Sequence, residues 1–158
     1  MTEKTDTIMD VVKIKVITEG CMPRRADDGS WYDLFAAEDV IVPSASQFAL
    51  NSSPTMVPLG VAMEIPEGMS AIIAARSSTP GRHGVYMPSG IGVVDSSYKG
   101  PGDQWMFPVY SINARGGFIH KGTKIAQFTL IRKHDIEFVE DNLEGNTNRG
   151  GFGSTGMV

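Results

Sequence analysis

The 158-residue sequence has one cysteine, no long apolar run and no excess of positive charge. A lone cysteine, Cys21, excludes an internal disulfide and favours a reducing compartment. No apolar run approaches the roughly 18 residues of a membrane-spanning helix, so no membrane association is expected. Residues 1–6 lack the cationic start and the apolar stretch of a secretion signal. These absences together predict a cytoplasmic protein.

The charge balance also excludes some function classes. Lysine and arginine number 14 against 18 acidic residues, which gives a net charge of -4. General nucleic-acid binders carry a strong basic excess, so nucleic acid is not expected as a partner. One cysteine and three dispersed histidines do not make a zinc site. Walker-type and dinucleotide-binding glycine loops are absent as well.

The sequence does contain many short, β-branched apolar runs that turn residues separate. In the run 11–17, Val12, Ile14 and Val16 alternate with lysines and share one face. No window of a dozen residues has a clear helical period. This pattern predicts an all-β sandwich, jelly roll or barrel. The other runs are 40–42, 57–65, 69–74, 91–94, 105–112, 124–131 and 136–139.

The C-terminal segment 145–158 is rich in glycine and carries Arg149, Phe152 and a Ser154-Thr155 pair. Glycine-rich backbone can crowd an anion, arginine can grip a phosphate, and an aromatic ring can cover a base. The segment is therefore interpreted as a strap that closes over a nucleotide. A disordered terminus is the alternative that composition alone leaves open.

We expect a single domain over residues 1–158, with an N-terminal tail at 1–10, a barrel at 11–140 and a mobile arm at 141–158. The arm needs a binding place on its own subunit or on a neighbour. Crossing to a neighbour favours a closed symmetric oligomer, because each arm then finds an equivalent site.

Four segments carry side chains suited to phosphate chemistry. Asp95 follows an apolar run, so it can act as a general base at a strand end, with Tyr98 close by. Residues 76–78 (Arg-Ser-Ser) form a candidate phosphate cradle. Two interpretations are open for Gln127: its side chain faces a binding pocket, or it hydrogen-bonds its neighbours. Asp33 either supports the binding site or caps a turn. Taken singly, the segments of Asp95, Arg76 and Asp33 also fit ordinary turns.

The order of these segments resembles the five motifs of the trimeric dUTP diphosphatases (dUTPases). The resemblance covers residues 32 to 156, nearly the whole chain. Its third and fifth motifs are the most specific. The matching segments are Tyr32-Asp-Leu34, Arg76-Ser77, Gly92-Val-Val-Asp95-Ser-Ser-Tyr98-Lys-Gly100, Gly122-Thr-Lys-Ile-Ala-Gln127 and Gly150-Gly-Phe-Gly-Ser-Thr-Gly156.

The resemblance implies a jelly-roll-like β-barrel and a homotrimer whose C-terminal arm crosses to a neighbouring subunit, so that active sites are shared. It implies hydrolysis of dUTP to dUMP and pyrophosphate by in-line attack of water on the α-phosphorus. Such a reaction keeps uracil out of DNA and supplies dUMP for thymidylate synthesis. Mg²⁺ would be the cofactor, held mainly by the substrate phosphates rather than by the protein.

By resemblance, Asp95 would be the catalytic base and Asp33 would support the site. Tyr98 would pack under the deoxyribose and leave no room for a 2′-hydroxyl. Backbone groups around residues 89–94 would contact the uracil, and Phe152 would cover it. The implied substrate-binding residues are Arg76, Ser77, Ser78, Ser89, Gly92, Val94, Tyr98, Gln127, Arg149, Phe152, Gly153, Ser154 and Thr155.

The chain departs from the family pattern at Trp31, at Ser78, at residues 101–103 and in the tail, and two rival functions remain. The tail arginine usually stands three residues before the Gly-Gly pair, where this chain has Thr147, and Arg149 directly precedes Gly150. A dCTP deaminase or its bifunctional relative shares the fold, but it needs a glutamate that the run 105–112 lacks. A regulatory protein on the dUTPase scaffold would bind a protein partner in addition to its catalysis. The surfaces to test would be the inserts near residues 81–87 and 101–103, and the sequence does not identify the partner.

Overall fold

The computed structural model describes residues 9–44 and 53–150. Almost all of its regular structure is β-strand, and one short helix, α1, spans Thr79–His83. The strands are β1 (Lys13–Val16), β2 (Arg24–Arg25), β3 (Tyr32–Phe35), β4 (Val40–Val42), β5 (Thr55–Pro58), β6 (Val61–Glu64), β7 (Met69–Ala75), β8 (Val85–Tyr86), β9 (Ile91–Asp95), β10 (Met106–Ser111), β11 (Gly117–Ile119) and β12 (Lys124–Arg132). The predicted all-β class is confirmed.

The strands pair into four antiparallel sheets. The largest has the order β2-β3-β12-β7-β9, so β9 lies at its edge. A second sheet has the order β5-β10-β8, and the pairs β1-β6 and β4-β11 complete the set. Within the described ranges these ladders do not join into one closed ring of hydrogen-bonded strands. The barrel-like arrangement comes instead from sheets that pack their apolar faces around a common core.

Alternating burial along the strands builds that core. In β10, Phe107, Val109 and Ser111 are buried while their neighbours are partly exposed, as the two-residue period of a strand requires. Buried positions of β7 alternate in the same way. The largest buried side chains are Trp105, Phe107, Leu34, Leu59, Ile119 and Ile125.

The apolar run 57–65 is interrupted by a turn at Leu59-Gly60, between β5 and β6. Gly60 has φ +67°, and a Cβ there would lie 2.7 Å from the Cys21 Sγ, so only glycine fits. Cys21 is itself buried, and this burial raises the pKa of its thiol. The turn therefore packs against the core through a glycine and a cysteine.

Helix α1 differs from the sequence expectation, which included no helix. Pro80 occupies its first turn, where a missing N–H costs nothing. The helix ends at Gly84, whose φ of +61° is left-handed. Thr79 is fully buried, and its hydroxyl donates to the Ile125 carbonyl oxygen at 2.8 Å. This bond holds α1 against the start of β12.

The apolar run 136–139 also differs from its expectation, because it forms no strand in the described chain. Ile136, Phe138 and Val139 are 68%, 90% and 78% exposed. Their composition suits a strand, but they pair with no strand of the described residues. Within the described residues, no helix has the length and apolar character needed to cross a membrane.

Candidate active site

Asp95 lies at the end of edge strand β9, at the mouth of an open cleft of about 440 Å³. The cleft lies between β9 and the start of β10, and Tyr98 lines it with Val94 and Gln104. The Asp95 carbonyl accepts a hydrogen bond from the Tyr98 N–H at 3.0 Å, which closes a tight turn. The turn keeps the carboxylate and the aromatic ring at the same cleft.

Both side chains at this cleft are accessible. Asp95 is exposed, and no described residue bonds its carboxylate. The Tyr98 side chain is 42% exposed, and its hydroxyl donates to the Gln104 carbonyl oxygen at 3.2 Å. An accessible carboxylate beside a flat ring can take a proton from water next to a sugar.

The remaining predicted residues of this strand lie at different depths. Val94 is partly buried against the core and lies beside Asp95. Gly92 lies mid-strand, where a Cβ would approach the Met87 Cε to 3.0 Å. Ser89 precedes β9, and its hydroxyl donates to the Ile91 carbonyl at 2.8 Å. Ser89 is therefore at the opposite end of β9 from Asp95.

A second group of predicted residues surrounds Asp33, on β3. The Asp33 carboxylate accepts from the Arg76 Nε at 2.8 Å and from the Lys124 Nζ at 3.1 Å. Gln127 is in register with Asp33 across the β3–β12 pair, and its Nε2 donates to the Ala75 carbonyl at 3.2 Å. The structure thus brings three predicted residues together and adds Lys124 to them.

Lys124 reaches Asp33 because of a register shift in β12. Gln127 is opposite Asp33, yet Lys124 is opposite Phe35, with a bulge between positions 124 and 126. In a regular strand, residues three apart point to opposite faces. The bulge places Lys124 opposite a residue two positions from Asp33 and so on the same face. A bulge leaves no clear mark in the sequence, which explains why the motif alone did not identify Lys124.

The Asp33 cluster carries an excess of positive charge. Arg24, on β2, is in register with Asp33, and its guanidinium lies 5.7 Å from the centre of the Phe35 ring. Arg76 and Lys124 therefore pair with a carboxylate whose side chain is only 13% exposed, and Arg24 lies on the neighbouring strand in register with it. Such a cluster is suited to a polyanion such as a phosphate chain.

The other residues that follow β7 lie next to this positively charged cluster. Ser77 is exposed, and Ser78 begins α1 without a side-chain capping bond. His83, at the end of α1, is partly buried. Its pKa lies below the usual value because of burial, with further lowering by the charges of Arg82, Arg76 and His120. His83 therefore belongs to the electrostatic surroundings of Arg76.

The two groups of residues lie at opposite ends of the same strand pair. Asp95 is in register with Ser70 on β7, whereas Arg76 follows the other end of β7, six positions further along. At about 3.3 Å per residue, the backbone positions of Asp95 and Arg76 are about 20 Å apart. The phosphates of one nucleotide do not span that distance between the two groups within one subunit.

The C-terminal segment leaves the sheet after β12. Every residue from 133 to 150 is exposed, Arg149 included. The predicted lid residues Phe152, Gly153, Ser154 and Thr155 lie outside the described residues. In residues 9–44 and 53–150, no three histidine, cysteine or acidic side chains cluster closely enough to hold a metal ion.

Comparison with known proteins agrees with this fold. The dUTPase family model matches residues 19–156. The SPbeta prophage-derived deoxyuridine 5′-triphosphate nucleotidohydrolase YosS of Bacillus subtilis is 43% identical over 147 residues, which cover 92% of this chain and 97% of the relative. The chain belongs to the dUTPase family.

Two solved structures show the same fold. The Staphylococcus bacteriophage 80alpha dUTPase with dUPNHPP superposes with a TM-score of 0.70 at 19% identity, over 94% of this chain and 100% of that one. A point mutant of the dUTPase of phage phi11 of S. aureus, in which a structural Mg(II) ion is coordinated, has a TM-score of 0.68 at 18% identity, over 85% of this chain and 99% of that one. The predicted dUTPase-type fold is confirmed.

Proposed function

We propose that this chain hydrolyses dUTP to dUMP and pyrophosphate by in-line attack of water on the α-phosphorus. Family membership and the name of the 43% identical relative support the reaction. The observation that carries the proposal is the cleft at the end of β9, where Asp95 is exposed beside Tyr98. The product dUMP serves thymidylate synthesis, and removal of dUTP keeps uracil out of DNA.

Asp95 acts as the general base in this proposal. Its carboxylate is open to the cleft, so it can accept a proton from an attacking water molecule. Tyr98 lies under the deoxyribose and leaves no room for a 2′-hydroxyl. Backbone groups of the edge strand β9 pair with the uracil, because an edge strand has unpaired donors and acceptors. Ser89, Gly92 and Val94 belong to this segment.

The phosphate chain of the nucleotide binds the positively charged residues around Asp33. Arg76 offers a fork of N–H donors, and Asp33 fixes the orientation of that fork. Gln127 and the hydroxyls of Ser77 and Ser78 add polar contacts. Fixed donors directed at developing charge stabilise a transition state more than mobile ones do.

We propose a homotrimer with shared active sites. The separation of about 20 Å between Asp95 and Arg76 along β7 supports this, because one subunit alone does not bring both to one nucleotide. A neighbouring copy supplies the missing half under closed symmetry. The exposed segment after β12 then crosses as an arm, and Arg149, Phe152, Gly153, Ser154 and Thr155 close over the bound nucleotide.

Mg²⁺ is the proposed cofactor. This ion keeps several waters and usually binds through substrate phosphates and one or two carboxylates, so the donors present suit it. No residue of this chain is assigned as a direct ligand. When bound, the ion neutralises charge that develops on the leaving pyrophosphate. The structural Mg(II) ion of the phi11 enzyme supports the choice of metal.

The rival deaminase function lacks a proton carrier at the base. Strand β10, which follows the cleft, has the sequence MFPVYS and contains no acidic residue. A cytoplasmic location, without nucleic acid or membrane as partner, remains part of the proposal. For a regulatory protein partner, the surfaces to test remain those near residues 81–87 and 101–103.

A nucleotide panel tests the proposed reaction. Pyrophosphate release from dUTP, UTP, dCTP and dTTP is measured with Mg²⁺ present. We expect fast release from dUTP and much slower release from the others, because Tyr98 rejects ribose and the strand edge rejects other bases. Equal turnover of UTP and dUTP would remove the role assigned to Tyr98, and absence of turnover with dUTP would contradict the function.

A further inference from the structure

The loop between Tyr98 and β10 forms contacts that no part of the proposed mechanism uses. We propose that Gln104 is a positioning residue, which holds the Tyr98 ring in the orientation that distinguishes deoxyribose from ribose. The inference rests on the dUTP hydrolysis proposed above. It assigns to this chain's own loop a share of the sugar specificity.

Tyr98 needs such a support because packing alone does not fix it. Its side chain is 42% exposed and lies on the wall of an open cleft. The bond from its hydroxyl to the Gln104 carbonyl, at 3.2 Å, joins the far end of the ring to the protein. A ring that is held at both ends excludes an extra hydroxyl more strictly than a ring free to turn.

Three hydrogen bonds join the Gln104 side chain and the backbone of the next residue, Trp105, to the turn between β5 and β6, and so fix the position of the Gln104 carbonyl. The Gly60 N–H donates to the Gln104 Oε1 at 3.0 Å. On either side, the Leu59 N–H donates to the Trp105 carbonyl at 2.9 Å and the Trp105 N–H donates to the Val61 carbonyl at 2.8 Å. The glutamine side chain thus takes the central place in a short ladder.

The anchor of this ladder is rigid. Gly60 is buried and has φ +67°, with no room for a side chain beside Cys21. Trp105 is 1% exposed and packs edge-on against the Phe128 ring at 5.2 Å. Movement at Gln104 would disturb a closely packed part of the core, so its carbonyl is a fixed acceptor.

The rest of the loop is held by hydrogen bonds within it and by one bond from Lys15. The Gly100 N–H donates to the Asp103 Oδ2 at 2.7 Å, and the Asp103 N–H donates to the Gly100 carbonyl at 3.0 Å. The Lys15 Nζ donates to the Pro101 carbonyl at 3.0 Å. Residues 99–104 therefore form a braced connection from the Tyr98 turn to the core rather than a free loop.

The ratio of kcat/KM for dUTP to kcat/KM for UTP tests the inference. Gln104→Ala removes the Oε1 acceptor and leaves the buried Gly60 N–H unpaired. We expect the dUTP-to-UTP ratio to fall roughly fivefold or more. A Tyr98 ring that is no longer held in place admits the 2′-hydroxyl of UTP, which dUTP lacks. A purely structural role would lower both values together, and an unchanged ratio would overturn the proposal.

Two further variants separate positioning from folding. Gln104→Glu keeps an acceptor oxygen at the same place and should hold the ratio within about twofold of the wild type. In a Tyr98→Phe background, Gln104→Ala should change the ratio no further, since the hydroxyl that it positions is gone. An additional fall there would contradict the proposed link. Asn113→Ala, an exposed amide in the turn after β10, is the matched control.

If Gln104→Ala does not fold, Tyr98→Phe tests the inference by itself, because it removes the hydroxyl that donates to the Gln104 carbonyl. A lower dUTP-to-UTP ratio is then expected, and an unchanged ratio would overturn the inference. Wild-type protein that releases no pyrophosphate from dUTP would refute the proposed function itself. Wild-type turnover with an unaltered ratio in the variants would refute only the positioning role.

Discussion

The two ends of the β7–β9 pair differ in how their polar groups are held. At one end the Asp95 carboxylate is exposed, without a bonding partner among the described residues. At the other end, Arg76 follows β7 and pairs with the Asp33 carboxylate of β3, which is largely buried and also pairs with Lys124. A base must be free to accept a proton, whereas phosphate donors work best when they are fixed in advance. The contrast matches the two roles that hydrolysis of a nucleoside triphosphate requires.

The largest expected effect concerns the exposed end. Asp95→Asn keeps the size of the side chain but removes the base, so kcat for dUTP should fall by about 10²–10⁴-fold. The free energy of unfolding should change by no more than about 0.5 kcal/mol, because the side chain is exposed. Steady-state kinetics and a denaturant titration measure the two quantities. Turnover at the wild-type rate would contradict the assignment of Asp95.

Removal of residues 146–158 tests whether hydrolysis of dUTP needs the C-terminal arm. Loss of an aromatic cover over the base should lower kcat/KM roughly 10- to 100-fold. The melting temperature should hardly change, since the described residues of this segment, 146–150, are all exposed. Kinetics and a thermal melt on the truncated chain provide the comparison. A fully active truncated protein would exclude the lid.

The buried end should respond differently to a similar change. Asp33→Asn removes the charge that holds Arg76 and Lys124, so KM for dUTP should rise roughly fivefold while kcat falls less. Stability should also fall, by about 1–3 kcal/mol, because the charged hydrogen bonds lie in a largely buried place. Asp28→Asn, at an exposed position, is the matched control. A change in kcat with KM unaltered would argue that Asp33 acts on the chemical step instead.

The smallest expected effect is a pH dependence of stability that comes from His83, near Arg76. The pKa of His83 is lowered by burial and then by Arg82, Arg76 and His120, so the folded protein binds this proton less tightly than the unfolded chain. Stability should therefore fall as pH drops from about 7.5 to about 5.5, through the ordinary histidine range. His83→Gln should reduce that fall in melting temperature, and His134→Gln should not. An identical pH profile in His83→Gln would contradict this account.

The strands were predictable where apolar, β-branched residues form runs bounded by turns. Runs at 69–74, 91–94 and 124–131 correspond to β7, β9 and β12. Strand β2 contains two arginines and no apolar residue, so tertiary pairing rather than composition defines it. Helix α1 is too short to show a helical period and contains both proline and glycine. The run at 136–139 has the composition of a strand but no pairing strand in residues 9–44 and 53–150.

The site was predictable only as a set of residue types in order. Asp95, Tyr98, Arg76 and Gln127 stand out because their chemistry suits a nucleotide and their order matches a family. Their division into two groups depends on the register of β7 with β9, which no local pattern contains. Lys124 depends in the same way on the bulge in β12. Long-range pairing decides both, and it is visible only in the folded chain.

The central claim is that one active site combines the Asp95 end of one copy with the Arg76 end of another. Co-refolding Asp95→Asn with Arg76→Ala in equal amounts tests it directly, since each variant alone should be nearly inactive. If the sites are shared, each mixed trimer has one intact site, and the mixture should recover about a quarter of the wild-type turnover of dUTP. Recovery no greater than that of the two separate variants, in a mixture shown to contain mixed trimers, would contradict the shared site.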